Sequence, residues 1–403
     1  MLRDASSPSV KEWKLSLNVE HLPDRSMTTD DPPQPDTARG SDDVPRVWLL
    51  TDDRPGHRTQ VIGLARGLGW PWDEKRLAFN RLNRLPNQIL GASLISLDRS
   101  SASFAQPWPD LVIGMGRRIV PVARWIKRQS GGRTRIVLLG RKAANDPRGI
   151  DLTVACAHFQ LLPHRNLVEL VVPPTQVDEA ALAAARATHP GLLDALRQPR
   201  VLLLVGGPTV QHQLDADFAL RMAGSVAAAA RALGGGLAIV TSRRTPDAAI
   251  AAMRVAAPDA HFHVWAPDRH ENPYLAYLAS ADLIVVTGES ESMLAEAAAT
   301  RRPMTIYPLE PKAPGLKQRV ATALRRGADE SGLWGSISRR ILSRGWVTAP
   351  RDLALMHQRM VADGRAALFS SGMNTMPPAP TDDGSHIAHR IAALLVRTPA
   401  ADE

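Results

Sequence analysis

The chain has 403 residues, 44% of them hydrophobic and 22% charged, with a formal net charge of +9. At about 150 residues per domain, this length predicts two domains rather than one. The sequence has no run near the ~20 apolar residues that span a bilayer and no apolar start typical of a secretion signal. Its single cysteine excludes an internal disulfide and a cysteine-based zinc site. We therefore expect a cytoplasmic protein.

The first part of the chain predicts a parallel sheet behind a disordered tail. Residues 1–44 are rich in Ser, Asp, Pro and Thr and have no periodicity, which predicts disorder. From residue 45 to 174, continuous apolar runs alternate with helical patterns, as in parallel strands covered on both faces. The predicted strands are 47–51, 93–97, 110–114, 135–139, 152–155 and 167–172, and the predicted helices are 59–68 and 121–129.

A second series of the same kind follows a proline-flanked junction over residues 175–199. Its predicted strands are 201–205, 237–241, 261–265, 283–286 and 304–307, with helices at 217–233 and 246–256. Residues 350–403 predict two further helices, 350–369 and 385–396, and in tandem folds a C-terminal helix often returns to the first domain. The predicted fold is therefore α/β, with two Rossmann-like doubly wound domains (45–174 and 200–349) facing a cleft.

The most informative turn joins the strand at 283–286 to the next helix. Gly288, Ser290 and Ser292 lie where that helix begins, and such an end presents free amide N–H groups and a positive dipole that suit a diphosphate. Glu296 lies one turn beyond Ser292 on the same face, where a carboxylate can accept hydrogen bonds from ribose hydroxyls. These residues predict a nucleotide-sugar site. The alternative is ordinary helix capping by the serines.

Two more strand ends of the second domain carry candidate donor-site residues, because ligands collect beyond the carboxyl ends of parallel strands. The pair Gly206-Gly207 follows one strand, and the run 242–245 follows the next. In that run we expect Ser242 and Thr245 to cap the following helix, and Arg243 and Arg244 to make bidentate contacts with phosphate. Salt bridges from these arginines to surface acids are the alternative.

The first domain has candidate residues for an acceptor after two of its strands. Gly56, His57 and Gln60 follow the first strand, and Gly116, Arg117 and Arg118 follow the strand at 110–114. His57 is a candidate general base or a donor to the acceptor. An ordinary loop histidine is the alternative.

Ten basic residues and one acid lie between residues 117 and 148, so this stretch carries 10 − 1 = +9. The stretch predicts either a solvated arginine-rich face or a surface for an anionic acceptor or an anionic membrane, where each cation near lipid contributes about 1 kcal/mol. Nucleic acid is disfavoured, because aromatic residues make up only 4% of the chain and cannot provide a base-stacking platform.

Several absent motifs narrow the chemistry. The chain has no Gly-x-x-x-x-Gly-Lys-Ser/Thr motif, which excludes a P-loop nucleotide triphosphatase. Gly114 and Gly116 lack the third glycine of a dinucleotide turn, and no tyrosine has a lysine four residues later, which disfavours an NAD-dependent epimerase. We expect a metal-independent reaction, in which fixed charges stabilise the leaving group.

Four segments together resemble the "elongated mitochondria" fission-protein family, over residues of about 47 to 355. They are Pro55-Gly-His57 with Gln60, Ser242-Arg-Arg-Thr-Pro246, Asn272-Pro-Tyr274, and Thr287-Gly-Glu-Ser-Glu-Ser-Met293 with Glu296. The bacterial members are labelled predicted nucleoside-diphosphate-sugar epimerases, and the family is similar to GT-B glycosyltransferases.

The resemblance implies a donor site in the second domain. It makes Ser290 and Ser292 the phosphate-contacting helix start and Glu296 the ribose-binding acid, and it adds Asn272 and Met293 to the site. Glu289 departs from the family pattern, in which Asp is expected. The plant members act as peripheral recruiters of a dynamin-like GTPase, so the resemblance also implies a role without catalysis.

The leading hypothesis is a cytoplasmic, metal-independent GT-B-like glycosyltransferase that takes a nucleotide-diphosphate sugar and needs no other cofactor. Its acceptor is expected to be anionic, with a lipid-linked acceptor included, and residues 117–148 are expected to place the enzyme at the inner membrane face. The first alternative is a non-catalytic membrane recruiter. The second is a non-NAD epimerase that uses carboxylates from Asp52, Asp53 and Glu289.

Overall fold

The computed structural model describes residues 44–142, 144–267, 272–369, 372–378 and 383–396. The tail predicted for residues 1–44 lies outside these ranges except for Val44. The described residues form two separate sheets, each of six parallel strands flanked by helices. The predicted fold class, two Rossmann-like α/β units in tandem, is confirmed. We call the parts of the chain that carry the first and the second sheet the first and the second half.

The first sheet has the strand order β2-β1-β3-β4-β5-β6. Its strands are β1 (Val47–Thr51), β2 (Trp72–Arg76), β3 (Leu111–Met115), β4 (Arg135–Leu139), β5 (Leu152–Cys156) and β6 (Leu167–Leu170), and its helices are α1 (Pro55–Leu68), α2 (Asn87–Leu90) and α3 (Ile119–Gln129). The strand predicted at 93–97 is wrong, because these residues form turns and only Leu97 makes an isolated bridge, to Phe79. The sheet instead contains a strand that the sequence did not predict. It is β2, a charged edge strand that pairs only with β1.

The second sheet has the order β12-β11-β10-β7-β8-β9. Its strands are β7 (Arg200–Val205), β8 (Gly236–Thr241), β9 (His261–His263), β10 (Leu283–Thr287), β11 (Met304–Tyr307) and β12 (Ala367–Leu368). Its helices are α4 (Glu179–Thr188), α5 (Ala216–Ala232), α6 (Asp247–Ala256), α7 (Tyr274–Ser280), α8 (Glu291–Ala299), α9 (Leu316–Gly327), α10 (Gly332–Ser343) and α11 (Leu353–Ala362). The helix predicted over 350–369 is α11 followed by the short edge strand β12.

Each sheet is covered by helices on both faces, which explains the continuous apolar runs of the inner strands. All five residues of β1 are buried, and Leu202, Leu203 and Leu204 of β7 have no exposed surface. Side chains of this size contribute about 1.5–3 kcal/mol each when fully buried. The predicted junction is part of the second core, since it contains α4 and the buried residues Leu182 and Leu193.

The last helix, α12 (Asp383–Leu395), returns to the first half, as predicted. Ile387 and Ile391 are buried in the same cluster as Val61 of α1 and Leu111 of β3. The guanidinium Nε of Arg135 donates to the carbonyl oxygen of Leu394 at 3.0 Å. No helix among the described residues combines the length and the apolar character needed to cross a membrane.

The strand orders indicate where two ligand-binding crevices lie. In the first sheet the chain moves from β1 to β2 on one side and then to β3 on the other, and in the second sheet it moves from β7 towards β9 and then to β10. Ligands of open α/β sheets bind at the carboxyl ends of the strands where this reversal occurs. The crevices therefore lie at the ends of β1 and β3 and at the ends of β7 and β10.

Candidate functional site

A pocket of about 120 Å³ lies where the first helix, the linker between the halves and α8 meet. It is lined by Gly56, Thr59, Gln60, Pro173, Pro174, Thr175, Ser292, Ala295 and Glu296. The sequence placed Gly56 and Gln60 with the acceptor, and Ser292 and Glu296 with the donor. The structure brings these two predicted sets together in one cavity.

Helix α8 divides its residues between this pocket and the core. Ser292 and Glu296 are four residues apart and line the pocket, because residues at this spacing share one helix face. Met293 is 8% exposed and packs with Leu294 in the core of the second half. Met293 therefore does not line this pocket, and its predicted contact with the ligand stays a prediction. Ser290 occupies the N-cap position, but its side chain makes no capping hydrogen bond.

Glu296 is the pocket's carboxyl group, and burial raises its pKa. The hydroxyl of Tyr274 lies beside it, buried and without a well-formed hydrogen bond among the described residues. Burial and then the charge of Glu296 raise the pKa of Tyr274 well above its ordinary value, so this hydroxyl keeps its proton. Asn272 is exposed, and its Oδ1 accepts from the Tyr274 N–H at 3.2 Å, so it supports the turn into α7 and does not line the pocket.

The glycines after β7 make a different set of contacts from those predicted. The N–H of Gly206 donates to Oγ1 of Thr287 at 2.9 Å, and the N–H of Gly207 donates to Oε1 of Glu289 at 2.7 Å. A Cβ on Gly206 would lie 1.8 Å from that carboxylate oxygen, and one on Gly207 would lie 2.3 Å from the carbonyl of Arg244. Only glycine fits these close approaches. The Gly206 and Gly207 amides bond to the side chains of Thr287 and Glu289 and are therefore not free to hold a diphosphate.

Glu289 is buried at the centre of this crevice. Its Oε2 has no hydrogen-bond partner among the described residues, and burial raises its pKa against the opposing effects of the Gly207 amide and Arg244. Nη2 of Arg244 lies 3.7 Å from Oε1. Arg243 is exposed and forms no ion pair within the described ranges. One predicted phosphate-binding arginine is therefore at the crevice but pairs with this acid.

Ser242 and Thr245 have a structural role that the sequence did not reveal. The Ser242 hydroxyl donates to the carbonyl oxygen of Gly206 at 2.9 Å, and the Thr245 hydroxyl donates to the same oxygen at 2.5 Å. Neither hydroxyl caps α6, whose N-cap is Pro246 without a side-chain bond. The two residues tie the ends of β7 and β8 together. The loop after β10 is held to α11 in a similar way, since the carbonyl oxygen of Gly288 lies 2.7 Å from Nε2 of His357.

His57 stands at the first crevice with an acid behind its ring. Nδ1 lies 3.2 Å from Oδ1 of Asp52, and Nη1 of Arg54 lies 3.4 Å from Nε2. Because a guanidinium only donates, that contact requires Nε2 to accept and places the imidazole proton on Nδ1, towards Asp52. Burial opposes ionisation of Asp52, but its contacts with His57 and Arg54 outweigh burial, and its pKa is lowered.

The backbone of Gly116 completes the wall beside this imidazole. Gly116 has a φ of 84°, and a Cβ at this position would lie 3.2 Å from Cε1 of His57. The sequence analysis identified His57 but did not pair it with Asp52. The signal was present as an acid directly after the first strand, five residues before the histidine.

Arg117 and Arg118 do not face an acceptor in this structure. The guanidinium of Arg117 donates to the carbonyl oxygens of Asn83 and Leu85, so it holds the loop after β2. Arg118 pairs with Asp53 at 3.3 Å and lies over the ring of Phe79. Both side chains have protein partners, and their roles as acceptor contacts stay predictions.

The stretch from residue 117 to 148 is not one free cationic surface. Lys127 and Arg135 pair with Asp151, at 2.7 and 3.4 Å, an acid three residues beyond the counted stretch. Arg124 and Arg148 pair with Asp146, at 3.6 and 2.7 Å. These two acids balance only two of the ten positive charges of the stretch, and its docking to a membrane stays a prediction.

An ion-pair cluster connects α8 to the first half. Oε1 of Glu291 lies 2.5 Å from Nη1 of Arg351 and 3.4 Å from Nε2 of His158, which belongs to the short helical turn Ala157–Phe159. Burial opposes ionisation of Glu291, but its contacts with His158 and Arg351 lower its pKa to about 2. The cluster holds the first turn of α8 against the first half, beside the pocket.

The described residues contain no group of three or more His, Cys, Asp or Glu side chains placed to hold a metal ion. Nε2 of His261, which lies two residues before His263 on β9, is 2.8 Å from the hydroxyl oxygen of Tyr277.

Residues 55–328 match the model of a family described as Mitochondrial fission ELM1. An uncharacterized protein of Rickettsia prowazekii is 23% identical over 297 residues, covering 65% of this chain and 82% of that protein. The mitochondrial fission protein ELM1 of Arabidopsis thaliana is 28% identical over 132 residues, covering 32% of this chain and 30% of that protein.

Similar solved structures include UDP-GlcNAc 2-epimerases and glycosyltransferases. One is the UDP-GlcNAc 2-epimerase of Methanocaldococcus jannaschii, with 10% identity, coverage of 87% of this chain and 93% of that chain, and a TM-score of 0.42.

Proposed function

The chain belongs to the Mitochondrial fission ELM1 family, and we propose that it is a glycosyltransferase that takes a sugar from a nucleoside diphosphate. The observation that carries this proposal is the single pocket shared by α1 of the first half and α8 of the second. A transferase must hold a donor and an acceptor within reach of each other, and a cavity between two α/β units provides that arrangement.

The donor is proposed to lie along the pocket face of α8. Glu296 accepts hydrogen bonds from the ribose hydroxyls, and the hydroxyl of Ser292 and the positive end of the helix face the diphosphate. Arg243 is exposed and can approach the same phosphates. Because Glu289 already bonds to the Gly207 amide, the diphosphate is placed at the start of α8 and not on the β7 glycines.

The transfer step uses the Asp52–His57 pair. The oxygen of an acceptor hydroxyl attacks the anomeric carbon, and the bond from that carbon to the diphosphate oxygen breaks. The diphosphate leaves with the electron pair, and Nε2 of His57 takes the proton of the acceptor hydroxyl. Asp52 then stabilises the imidazolium through the contact at Nδ1. The positive charges near the phosphates stabilise the leaving group, so the proposed reaction is metal-independent.

The acceptor is proposed to be anionic, because a positive field surrounds His57. The pKa of Lys142 is lowered, first by burial and then by the charges of Arg141, Arg54, Arg117 and Arg118. Several cations are therefore concentrated at this rim of the cleft, although some of them also have protein partners. An anionic acceptor, including a lipid-linked one, is attracted to such a field.

Glu289 favours a second candidate function, a non-catalytic recruiter that retains the fold. Its carboxylate occupies the Gly207 amide, which reduces the room for a diphosphate at the β7 glycines. The epimerase alternative is less favoured, since Asp52 pairs with His57, Asp53 is exposed and pairs with Arg118, and Glu289 lies in the other crevice. These three carboxylates do not converge on one point.

Titration calorimetry with UDP, GDP, dTDP, CDP and ADP tests the donor site. We expect one of them to bind, and Glu296→Gln to weaken that binding roughly 10- to 100-fold, because it removes a charged hydrogen-bond acceptor. Glu179→Gln, an exposed glutamate in the first turn of α4, is the matched control and should leave the affinity unchanged. Failure of all five nucleotides to bind would refute the donor site and favour the recruiter.

Release of nucleoside diphosphate from the matching sugar nucleotide tests the chemistry. Asp52→Asn should lower the turnover rate about 100-fold or more, because it removes the charge that stabilises the imidazolium. Nucleotide affinity should not change. Asp53→Asn, the exposed neighbouring acid, is the control. Equal turnover by both variants would contradict the role assigned to the Asp52–His57 pair.

A further inference from the structure

Two segments that are distant in the sequence form a continuous surface of the molecule. Residues 81–95 follow β2 of the first half, and residues 316–346 contain α9, α10 and the loop after them. Nε2 of Gln88 donates to the carbonyl oxygen of Arg344 at 3.1 Å, and Nδ2 of Asn145 in the first half lies 3.4 Å from the carbonyl of Leu342. We call the two segments together the docking face.

Exposed apolar side chains are concentrated on this face. Of the 18 large hydrophobic side chains exposed in the described part of the chain, nine lie within these 46 residues. Trp346 is 65% exposed and Ile89 is 66% exposed. Large contiguous patches of this kind are uncommon on monomeric proteins without an interaction partner.

The two helices show that this exposure is patterned. In α9, Leu316 and Val320 are exposed and four residues apart, and in α10 the same holds for Leu333 and Ile337. The buried side chains are Ala321 and Leu324 in α9 and Ser338 and Leu342 in α10. A helix on an ordinary solvated surface carries polar residues on its outer face. Here the outer faces are apolar as well.

The docking face is also strongly cationic. Its two segments contain nine Lys or Arg residues and two acids, Asp329 and Glu330, for a formal charge of 9 − 2 = +7. Arg325 pairs with Asp329 at 2.7 Å, while Lys317, Arg319, Arg326 and Arg340 remain exposed. The guanidinium of Arg344 lies over the Trp346 ring at 5.1 Å.

We propose that the docking face binds the surface of an anionic lipid bilayer. Exposed Leu, Ile and Trp side chains enter the boundary between headgroups and acyl chains, and the surrounding Lys and Arg side chains contact lipid phosphates. An anionic bilayer fits this face because the formal charge of +7 complements lipid phosphates and the exposed apolar side chains complement the acyl boundary. This inference does not depend on the proposed transferase activity.

The docking face is joined to the rim of the candidate site through Arg117. The guanidinium of Arg117 holds the carbonyls of Asn83 and Leu85 in the first docking segment, and its neighbour Gly116 packs against His57. A bilayer on this face would therefore present its headgroups close to the first crevice.

Cosedimentation of the full chain with vesicles tests the proposal. We expect binding to vesicles of phosphatidylcholine with phosphatidylglycerol, weak binding to phosphatidylcholine alone, and loss of binding as salt screens the charges. The variant Ile89→Ser with Trp346→Ser should lower the partition coefficient roughly tenfold or more, because two large apolar side chains no longer leave water. Arg326→Glu with Arg340→Glu should do the same through charge alone.

Val255→Ser is the matched control, because Val255 is 73% exposed on α6, outside the docking face. It should bind vesicles as the unaltered chain does. The proposal is overturned if the unaltered chain ignores anionic vesicles, or if the Ile89 and Trp346 variant binds them equally well. It is also overturned if the chain forms a dimer that this variant dissociates, without binding lipid. Nucleotide affinity measured without vesicles tests the donor site separately.

Discussion

A clamp between Arg58 and Glu74 gives the sharpest test of how the first crevice is held. Nε and Nη2 of Arg58, in the first turns of α1, donate to the two carboxylate oxygens of Glu74 at 2.7 and 2.8 Å. The hydroxyl of Thr51 donates to the same carboxylate at 2.8 Å. The clamp therefore fixes the beginning of α1, where His57 and Gln60 lie, to strands β1 and β2.

The contribution of this clamp to stability follows from the pKa of Glu74. Its hydrogen bond with Arg58 is the largest of several effects that lower this pKa from 4.5 to about 2. At about 1.4 kcal/mol per unit, the shift corresponds to an upper limit of about 3 kcal/mol. Arg58 is 42% exposed, so solvent screening reduces the expected contribution to about 1–2 kcal/mol.

We predict that Glu74→Gln lowers the free energy of unfolding by about 1–2 kcal/mol near neutral pH. The folded pKa lies below the unfolded value, so this contribution is present above pH 4.5 and is lost as the pH falls towards 2. Urea denaturation across this pH range measures it. Glu310→Gln removes an exposed pair with Arg221 and is the control, with an expected effect near zero. A difference between the chain and Glu74→Gln that does not vary with pH would refute the reasoning.

Two further predictions concern the walls of the pocket. Gly63→Ala should destabilise the fold by about 1–3 kcal/mol and weaken nucleotide binding, because its Cβ would lie 2.4 Å from the carbonyl oxygen of Thr175 in the pocket lining. A Cβ on Gly67, in the same helix, would have no atom within 4 Å, so Gly67→Ala should be neutral or slightly stabilising. Thermal unfolding of both variants measures this difference. Glu291→Gln should destabilise the fold at neutral pH, with the effect lost as the pH falls from 4.5 towards 2, since its pKa is lowered to about 2. Equal destabilisation by Glu291→Gln at pH 7 and at low pH would contradict the stabilising role of the ionised Glu291 carboxylate.

The sequence predicted the inner strands well because they are buried on both faces. The run Val201 to Val205 has only apolar residues, and burial against helices on two sides requires that composition. Edge strands lack this constraint. Trp72–Arg76 pairs with one neighbour and has four charged residues out of five, so its pattern was indistinguishable from a loop.

The sequence predicted several residues of the candidate site but not the contacts among them. The spacing of Ser292 and Glu296 placed both on one face of α8, because helix periodicity fixes that relation within a short segment. Contacts between distant segments have no such local signal. The bond from Gly207 to Glu289 joins residues 82 positions apart, and it depends on the order of β7 and β10 in the sheet.

The basic stretch shows the same limit for electrostatics. Its charge count ended at Arg148, whereas Asp151, just beyond that limit, pairs with both Lys127 and Arg135. Exposed cations also lie in α9 and α10, where the sequence analysis predicted no element. Net charge along a sequence therefore does not locate a charged surface until the folded partners are known.

The return of α12 to the first half has a consequence for biosynthesis. Ile391 has no exposed surface and belongs to the hydrophobic core of the first half, although it follows the whole second sheet in the chain. The ribosome therefore completes the entire second half before the first half receives its last core residues. Until then, the emerging chain exposes the apolar surface of α1 and β4 that α12 covers, which is the kind of surface that chaperones shield.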